Sequence, residues 1–301
     1  MAFEPPERLV RALGETYGND VAARWLGQLP ELADATAARR GLTVERVQAP
    51  GGRSGLVLLV RCEDGTPAAL KLAPPAARPE LERAALRHWK GWGAAQLLDA
   101  DAPSTEESLL LERLHPEVSL RSLPEAKALL EASGTVRRLW VEPPVEHAFE
   151  TVAQRTERQA VPMRAGVEPE LAPLVEAALA ARDNLTSSPA ESLLLHGNFR
   201  QSKVLSGERA PWLTVGPEPV VGERAYDLAR LVRDRVEDLI AAPSGPSVAR
   251  RRVNKLADAL DVDRDRLHGW TLFRAVESGL RARAAGRAQD AELLLEFAGW
   301  L

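Results

Sequence analysis

The stretch SLLLHGNFRQSKVLSGERAPWLTVG, residues 192–216, does most to define the fold of this chain. It opens with three leucines, 193–195, a run typical of a short buried strand. The polar loop 196–203 follows, and then come two further short apolar runs separated by a turn. The stretch therefore predicts a strand, a loop, a short strand, a turn and a strand. A polar loop after a buried strand can hold catalytic side chains, although any strand end has the same pattern.

Upstream of this stretch, short β runs alternate with turns, and helical segments accompany them. The first 40 residues have helical spacing with a break at Gly18 and Asn19. The segment from Arg78 to Gly91 also has a helical period, and the chain beyond SLLLERL is mostly helical. Runs bounded by Gly, Pro or Asp predict an antiparallel sheet of about five strands: 43–48, 55–62, 67–72, 95–101 and 108–114.

These elements predict an α+β fold with two lobes. Residues 1–113 are expected to form a small N-lobe with N-terminal helices, an antiparallel sheet and one packed helix. Residues 114–301 are expected to form a large helical C-lobe that contains the hairpin 192–219. In a protein of two lobes, the cleft between them is the default place for a ligand.

The composition is that of an ordinary folded protein, and it excludes several classes. Of the 301 residues, 45% are hydrophobic and 27% are charged, which argues against disorder. The net charge of −4 provides no basic surface for nucleic acid. The single cysteine, Cys62, cannot form an internal disulfide, and no apolar run approaches the roughly 20 residues of a membrane helix. We therefore expect a cytoplasmic protein that binds neither nucleic acid nor membrane.

Two features of the N-terminal part could bind phosphate, although each also has an ordinary structural explanation. Lys71 lies in an apolar strand and Glu82 on the following helix, and in kinases such a pair orients a phosphate-binding ammonium. Taken singly, such a lysine more often lies on an exposed face, and such a glutamate is more often solvated. Gly51, Gly52 and Ser54 join two strands, where backbone amides can cover phosphates but where a plain hairpin turn is more common.

The order of these segments resembles the aminoglycoside phosphotransferase superfamily, most closely its streptomycin 6-kinase branch, the aminoglycoside/hydroxyurea antibiotic-resistance kinases. The resemblance implies a protein-kinase-like fold and transfer of the γ-phosphoryl group of ATP, or of GTP in some branches, to an antibiotic hydroxyl. It also implies that Lys71 binds phosphate with Glu82 as its partner, and that Glu112 to Leu114 form the hinge beside the adenine. It covers nearly the whole chain, including GLTVERVQAPGGRSGLVLLVRCEDGTPAALKL, LRHWKGWGAAQLLDAD, LLLERLHPEVSLRSL and LLLHGNFRQSKVLSGERAPWLTVGPEPVVGERAYDLARLVRDR.

The catalytic motifs depart from the pattern of this family. The family has approximately HGDLHxxNVL followed by DPKP, whereas this chain has HGNFRQSKVL followed by GPEP. By this resemblance, Asn198 replaces the catalytic aspartate, while Lys203 and Gly216 replace an asparagine and an aspartate that hold Mg²⁺. Glu218 replaces a lysine. The surrounding positions keep the family pattern, namely His196, Gly197, Val204, Leu205, Trp212, Pro217, Pro219, Tyr226, Asp227, Leu228 and Ala229.

These replacements predict a site without a metal and with more positive charge. An amide cannot accept a proton, and a general base typically contributes about 10² to 10⁴ in rate. A glycine side chain offers Mg²⁺ no oxygen, and an ammonium repels the ion. The formal charge at the three positions changes from −2 (Asp, Asn, Asp) to +1 (Asn, Lys, Gly). With Arg200 nearby, Lys203 is expected to extend into the metal's place and bind an anion; in the alternative it folds back onto Glu218 or Glu208.

The favoured interpretation is a pseudokinase that acts as a small-molecule-binding, anion-binding or regulatory protein, with His196 and Asn198 at the former catalytic positions. Its ligand would be ATP, another nucleotide without Mg²⁺, or a different small molecule in the inter-lobe cleft; a protein is the other partner considered. The alternative is an active ATP-dependent O-phosphotransferase on an aminoglycoside-like or other small-molecule hydroxyl, in antibiotic resistance or secondary metabolism. A third alternative is a cleft used for other chemistry. For a polycationic acceptor, the candidate acidic residues are Glu277, Asp227 and Asp234.

Overall fold

A computed structural model describes residues 4–101, 107–165 and 168–301 of the chain. It contains two compact units. The first consists of Met1–Val118 together with Leu205–Val215, and the second of Ser119–Val204 together with Gly216–Leu301. Antiparallel strands form the main sheet of the first unit and helices form most of the second, so the predicted α+β class is confirmed.

Two helices begin the first unit, and they pack against its sheet. Helix α1 spans Glu7–Tyr17 and α2 spans Asn19–Arg39. Gly18 separates them with φ +87°, a backbone conformation that glycine adopts without strain, so the predicted break is confirmed. Both helices share one apolar core with alternate residues of the sheet: Leu9, Leu13, Trp25, Leu29, Leu56, Leu58, Val60, Leu70 and Leu72.

The main sheet has four antiparallel strands in the order β1-β2-β3-β4. Their bounds are β1, Thr43–Val47; β2, Leu56–Arg61; β3, Pro67–Leu72; and β4, Ser108–Glu112. Helix α3, Pro79–Trp89, follows β3 and confirms the helix expected over 78–91. Leu70 and Leu72 face the core shared with α1 and α2, so Lys71 between them faces the other side of the sheet.

The predicted strand 95–101 is not formed, which corrects the expected sheet of five strands. An isolated bridge joins Leu97 to β4, and a turn begins directly after it. The Asp99 carboxylate accepts hydrogen bonds from Arg40 Nη1 at 2.7 Å and from Arg83 Nη2 at 3.1 Å. These ion pairs with distant arginines hold the segment in a turn, and its local apolar pattern does not reveal them.

The division between the units differs from the predicted boundary at 113/114. Residues 205–215 belong to the first unit, whereas the sequence pattern placed them in the C-lobe. The reason is long-range pairing, because Ala95 N donates to Thr214 O at 2.9 Å and Ala95 packs in a small core with Leu213. Three short strands form a second sheet in the order β5-β7-β8, with β5 at His115–Ser119, β7 at Val204–Ser206 and β8 at Leu213–Thr214.

The second unit is mostly helical, as predicted for the C-terminal part of the chain. Its helices are α4, Glu125–Arg137; α5, Val152–Arg164; α6, Ala172–Ser187; α7, Arg224–Val232; α8, Val236–Ala241; α9, Gly245–Leu260; α10, Arg264–Ala284; and α11, Ala288–Ala298. Strand β6, Leu193–Leu195, pairs antiparallel with β9, Val220–Gly222. This pairing brings the loop after β6 beside the segment that precedes β9. In the described ranges, no helix is both long and apolar enough to cross a membrane.

Candidate functional site

A single buried carboxylate holds the start of the loop after β6. Asp227, in the first turn of α7, accepts hydrogen bonds from His196 N at 2.9 Å and from Gly197 N at 2.7 Å. Burial raises the pKa of Asp227, and these N–H groups together with Arg274 offset that rise only in part. The side chain of Asp227, a candidate for acceptor binding, is therefore already used to fix the loop.

The same loop lies directly against the segment that precedes β9. Gly197 has φ +74°, and a Cβ placed on it would lie 1.9 Å from Glu218 O. Glu218 N donates to His196 O at 2.9 Å, and Arg274 Nη2 donates to Gly197 O at 2.8 Å. Position 197 therefore requires glycine, because any side chain would collide with the neighbouring backbone.

Asn198 is a buried residue in a partly buried hydrogen-bond network. The residue is 5% exposed; its Nδ2 donates to Glu218 Oε1 at 2.6 Å, and its Oδ1 accepts a hydrogen bond from Arg230. An amide suits this position because it donates to a carboxylate and accepts from a guanidinium at the same time. A carboxylate at 198 would instead place two negative charges side by side.

Glu218 is the shared counter-ion of several positive charges. Removal of water by the surrounding protein would raise the pKa of Glu218, but Arg230, Arg155, Lys203 and Arg200 more than offset this and lower it to about 2. The residue also has an exposed side, where water screens part of the attraction. Glu218 is therefore ionised at neutral pH, with its carboxylate among four cationic side chains.

Lys203 fills the space that a side chain at position 216 would need. A Cβ on Gly216 would lie 2.6 Å from Lys203 Nζ. Lys203 ends a short 3₁₀ turn, whose start is held by Gln201 N donating to Asp234 Oδ2 at 2.6 Å. These two positions do not fit a magnesium ion, because one supplies an ammonium and the other has no side-chain oxygen. In the parts of the chain that the structure describes, no three His, Cys, Asp or Glu side chains gather as a candidate metal centre.

Glu218 also changes the balance of charge predicted from the sequence. With this residue included, the four replaced positions change from −1 in the family pattern (Asp, Asn, Asp, Lys) to 0 here (Asn, Lys, Gly, Glu). The replacements alone therefore add one positive charge rather than three. The positive charge of Lys203 helps to lower the pKa of Glu218, which agrees with the alternative in which Lys203 folds back towards this glutamate. Glu208, the other partner considered for it, contacts His115 Nε2 at 2.8 Å within the first unit.

Arginines supply the remaining positive charge of this network. Burial and the charges of Arg200, Arg233 and Arg274 lower the pKa of Arg230 well below its usual value. Burial and the neighbouring Arg274 lower the pKa of Arg233 to about 9. Two of these guanidinium groups are held in place by backbone carbonyls, since Arg233 Nη1 donates to Arg274 O at 2.9 Å and Arg274 Nη2 donates to Gly197 O at 2.8 Å. Glu218 offsets part of the lowering at Arg230. A concentration of positive charge held in place by the fold attracts anions.

In the first unit, Lys71 and Glu82 form an ion pair. Both residues are buried, at 7% and 6% exposure. The predicted pairing is therefore confirmed, and the alternative of an exposed lysine beside a solvated glutamate is wrong. Their role in binding phosphate stays a prediction.

The loop between β1 and β2 is connected to helix α1. Arg53 Nη2 donates to Glu15 Oε2 at 3.1 Å. Gly51 has φ +75°, which only glycine adopts readily, while Gly52 and Ser54 are half-buried. The loop is a strand connection in the structure, and phosphate binding by its amides stays a prediction.

The carboxylate of Glu112 has a structural partner that the sequence pattern does not reveal. Oε1 accepts hydrogen bonds from Arg209 Nη2 and from Gln96 N, each at 2.6 Å. Arg209 lies in the 205–215 hairpin, which is why the link is invisible from local sequence. Glu112 therefore helps to join two segments of the first unit, and the hinge role of residues 112–114 stays a prediction.

Comparison with known proteins assigns the chain to a family. Residues 40–286 match the family described as Aminoglycoside/hydroxyurea antibiotic resistance kinase. The chain belongs to this family. It is 32% identical over 282 residues to streptomycin 6-kinase from Streptomyces glaucescens, which covers 92% of this chain and 90% of the relative. It is also 32% identical over 277 residues to hydroxyurea phosphotransferase from Kitasatospora aureofaciens, covering 88% of this chain and 76% of the relative.

Solved structures identify the fold of this kinase-family chain. One is a thermostable mutant of the aminoglycoside phosphotransferase APH(4)-Ia in a ternary complex with ADP and hygromycin B. The TM-score is 0.62 with 16% sequence identity, and the match covers 88% of this chain and 96% of that one. The chain therefore has the kinase-like α+β fold of the aminoglycoside phosphotransferases.

Within this kinase fold, two arginines of the site are not evident from the sequence. The family pattern identifies the four replaced positions and Arg200, but not Arg155 or Arg230. Arg230 lies about one helical turn after Asp227 on α7, and that spacing could have indicated it. Arg155 is on α5, and its Nη1 donates to Glu218 O at 2.8 Å across 63 residues of sequence. No local signal predicts such a contact.

The acidic residues considered for a polycationic acceptor already have protein partners. Asp234 accepts from Gln201 N at 2.6 Å, and Asp227 holds the loop after β6. Glu277 pairs with Arg281 at 3.0 Å and accepts from Ser278 Oγ at 3.0 Å. Aminoglycoside binding by these three residues is therefore not favoured by their contacts in this kinase-family chain.

Proposed function

We propose that this member of the aminoglycoside/hydroxyurea antibiotic resistance kinases is a pseudokinase that binds a phosphate-bearing small molecule without Mg²⁺, with a nucleotide as the first candidate. One observation is central: Lys203 Nζ lies 2.6 Å from the point at which a side chain at 216 would begin. An ammonium thus takes the place of a carboxylate of the family pattern. Lysine can supply part of the charge of Mg²⁺, but it cannot supply the geometry of the ion.

The state of Asn198 supports the same proposal. Its amide cannot accept the proton of a substrate hydroxyl, and its Oδ1 already accepts from Arg230. A positioned base contributes about 10² to 10⁴ in rate, or about 3–5 kcal/mol of barrier. In phosphoryl transfer the metal ions also neutralise the charge that develops on the phosphates. Loss of both contributions is expected to slow transfer far below the rate of an ordinary kinase.

Family membership alone favours a second candidate function, an active ATP-dependent O-phosphotransferase. The relatives at 32% identity are named streptomycin 6-kinase and hydroxyurea phosphotransferase, and these names fit an active enzyme better than an inactive one. One contact also favours it, because Glu218 Oε1 lies 2.6 Å from Asn198 Nδ2 and so keeps a carboxylate next to the former catalytic position. The low pKa of Glu218, about 2, makes it a weak base, which is why we rank this candidate second.

An assay of transfer and of nucleotide binding separates the two candidates. The full chain is incubated with Mg²⁺ and ATP or GTP, with streptomycin or hydroxyurea as acceptor, and phosphorylated product is measured. Calorimetry then compares ATP binding in Mg²⁺ with ATP binding in EDTA. The variant Asn198→Asp/Lys203→Asn/Gly216→Asp/Glu218→Lys, which restores the family residues at all four replaced positions, serves as the matched control.

The proposal expects no transfer by the wild type and an ATP affinity that does not depend on Mg²⁺. Turnover of about 1 s⁻¹, together with ATP binding that Mg²⁺ strengthens, would support the second candidate, an active O-phosphotransferase, instead. Absence of ATP binding under both conditions would contradict nucleotide as the ligand.

A further inference from the structure

We propose that the Glu218 carboxylate is a built-in occupant of an oxyanion site in the second unit, and that a phosphate group of the ligand displaces it. The site consists of Asn198, Arg230, Lys203 and Arg200. This inference rests on the proposed function and deepens it, since it names the group that is bound and the residue with which it competes.

Two donors of this site have partners within it, and the other two act on Glu218 through their charge. Asn198 Nδ2 donates to Glu218 Oε1 at 2.6 Å, and Arg230 donates to the Oδ1 of the same amide. The positive charges of Arg200 and Lys203 act on the same carboxylate. A tetrahedral phosphate has several acceptor oxygens, so it can accept from the amide and the cations together, where the glutamate offers two oxygens.

The amide at 198 is the feature that converts this position into a donor. In the family pattern an aspartate stands here, and its carboxylate would repel a phosphate placed beside it. Asn198 instead offers an N–H₂ group, and Arg230 on its other side fixes which way the amide points. The replacement of aspartate by asparagine thus removes the proton acceptor and, at the same position, adds a hydrogen-bond donor for an anion.

The backbone at Glu218 is fixed, whereas its side chain is able to leave. Glu218 N donates to His196 O at 2.9 Å, and Glu218 O accepts from Arg155 Nη1 at 2.8 Å. Pro217 and Pro219 flank the residue and restrict the backbone further. The residue is exposed on one side, so rotation of its side chain can move the carboxylate into water without a change of fold. Displacement of the Glu218 carboxylate therefore requires a change of its side-chain rotamer. It also requires loss of the hydrogen bond from Asn198 and of the attraction to the surrounding cations.

The charges favour exchange of one anion for another over simple loss of Glu218. Arg230, Arg233 and Arg274 repel one another, as the lowered pKa values of Arg230 and Arg233 indicate. A phosphate brings more negative charge than one carboxylate, and it would relieve this repulsion further. A polycationic aminoglycoside would add to the repulsion, so the site selects against it.

The test is calorimetric titration of inorganic phosphate, and separately of ATP, into the full chain in EDTA. Glu218→Gln removes the competing charge and is expected to tighten binding about two- to fivefold, within the range for a partly exposed ion pair of this kind. Arg230→Gln is expected to weaken binding by a similar factor. Glu208→Gln is the matched control, because it removes the same charge from an exposed glutamate of the first unit and should bind as the wild type does.

Circular dichroism first establishes that each variant is folded, and Glu218→Asp provides a second comparison if Glu218→Gln is not. The aspartate keeps the charge but shortens the reach by one methylene, so its affinity should lie between those of wild type and Glu218→Gln. If the wild type binds phosphate or ATP and the Glu218 variants bind equally or more weakly, competition by Glu218 is wrong while the proposed function stands. If neither the wild type nor the variants bind phosphate or ATP at millimolar concentration, both the competition by Glu218 and the proposed function are wrong.

Discussion

Lys203 and Gly216 are complementary in the structure, since the ammonium of one lies 2.6 Å from the point where a Cβ of the other would stand. Gly216 has φ +59°, a backbone conformation that disfavours a side chain in any case. The two replacements therefore form one unit, because the missing side chain at 216 leaves the room that the lysine occupies. A change at either position should affect the other.

This relationship predicts the effect of adding a methyl group at 216. Gly216→Ala is expected to destabilise the protein by about 1–2 kcal/mol, from backbone strain and from displacement of the Lys203 ammonium. In a Lys203→Ala background the cost should fall towards about 1 kcal/mol, because only the strain remains. Urea unfolding of the four proteins measures this coupling. An equal cost in both backgrounds would show that the flexible end of Lys203 moves aside freely, and the coupling of the two positions would be wrong.

Much of the fold follows from local sequence, because its signals are local in origin. The break between α1 and α2 follows from Gly18, and the strand, loop and strand pattern of 192–216 follows from short apolar runs between polar turns. The strand predicted at 95–101 is limited to backbone hydrogen bonds between residues 96–98 and β4, and Asp99 beyond them is bound by Arg40 and Arg83, which are distant in sequence. Periodicity cannot register such a contact.

The candidate site, too, can be predicted from the sequence only in part. The replacements at 198, 203, 216 and 218 are visible as departures from a family pattern, but that pattern does not reveal that Glu218 bonds to Asn198 across 20 residues. Positions 198, 203 and 216 taken without Glu218 suggest a strongly basic site. With it, the charge is partly compensated inside the network, and the arginines of α5 and α7 supply the rest.

Restoring the aspartate alone is expected to create a strained pair of carboxylates and no kinase activity. In Asn198→Asp the new carboxylate would lie beside Glu218, since Asn198 Nδ2 is 2.6 Å from Glu218 Oε1. Two adjacent carboxylates share a proton, which raises the pKa of one of them, although Arg230 offsets part of the repulsion.

The sign of the pH dependence follows from that raised pKa. The variant should be least destabilised near pH 4, where the unfolded aspartate is still half protonated, and its deficit should grow as pH rises through the folded pKa. Unfolding from pH 4 to pH 8 measures this, with Asn184→Asp at an exposed position of α6 as a control that adds the same charge. A deficit that shrinks as pH rises would show that Arg230 dominates instead.

The wild type should lose stability in acid as Glu218 becomes protonated. The surrounding cations lower the pKa of Glu218 to about 2, so its ionised form is favoured by folding. This contribution is fully present above the unfolded pKa of about 4.3 and is lost as pH falls towards 2. Glu218→Gln should therefore be less stable than wild type at pH 6, and the difference should vanish as pH falls from about 4.3 towards 2. High salt should reduce the difference at pH 6, and a difference that stays constant from pH 6 to pH 2 would contradict the assignment.

The buried pair of the first unit predicts a large cost for removing one partner alone. Lys71 and Glu82 are each more than nine-tenths buried and contact one another, so Lys71→Met leaves an unpaired buried carboxylate. We expect a loss of about 3 kcal/mol or more in the free energy of unfolding, and a smaller loss for Lys71→Met/Glu82→Gln, in which no charge is left unpaired. Arg46→Met, which breaks the exposed pair with Glu117, is the control and should cost less than about 1 kcal/mol. The single variant Glu82→Gln completes the cycle. If urea unfolding gives the double variant the sum of the costs of Lys71→Met and Glu82→Gln, the pair is not coupled, and the structural basis for a phosphate-binding lysine in the first unit is lost.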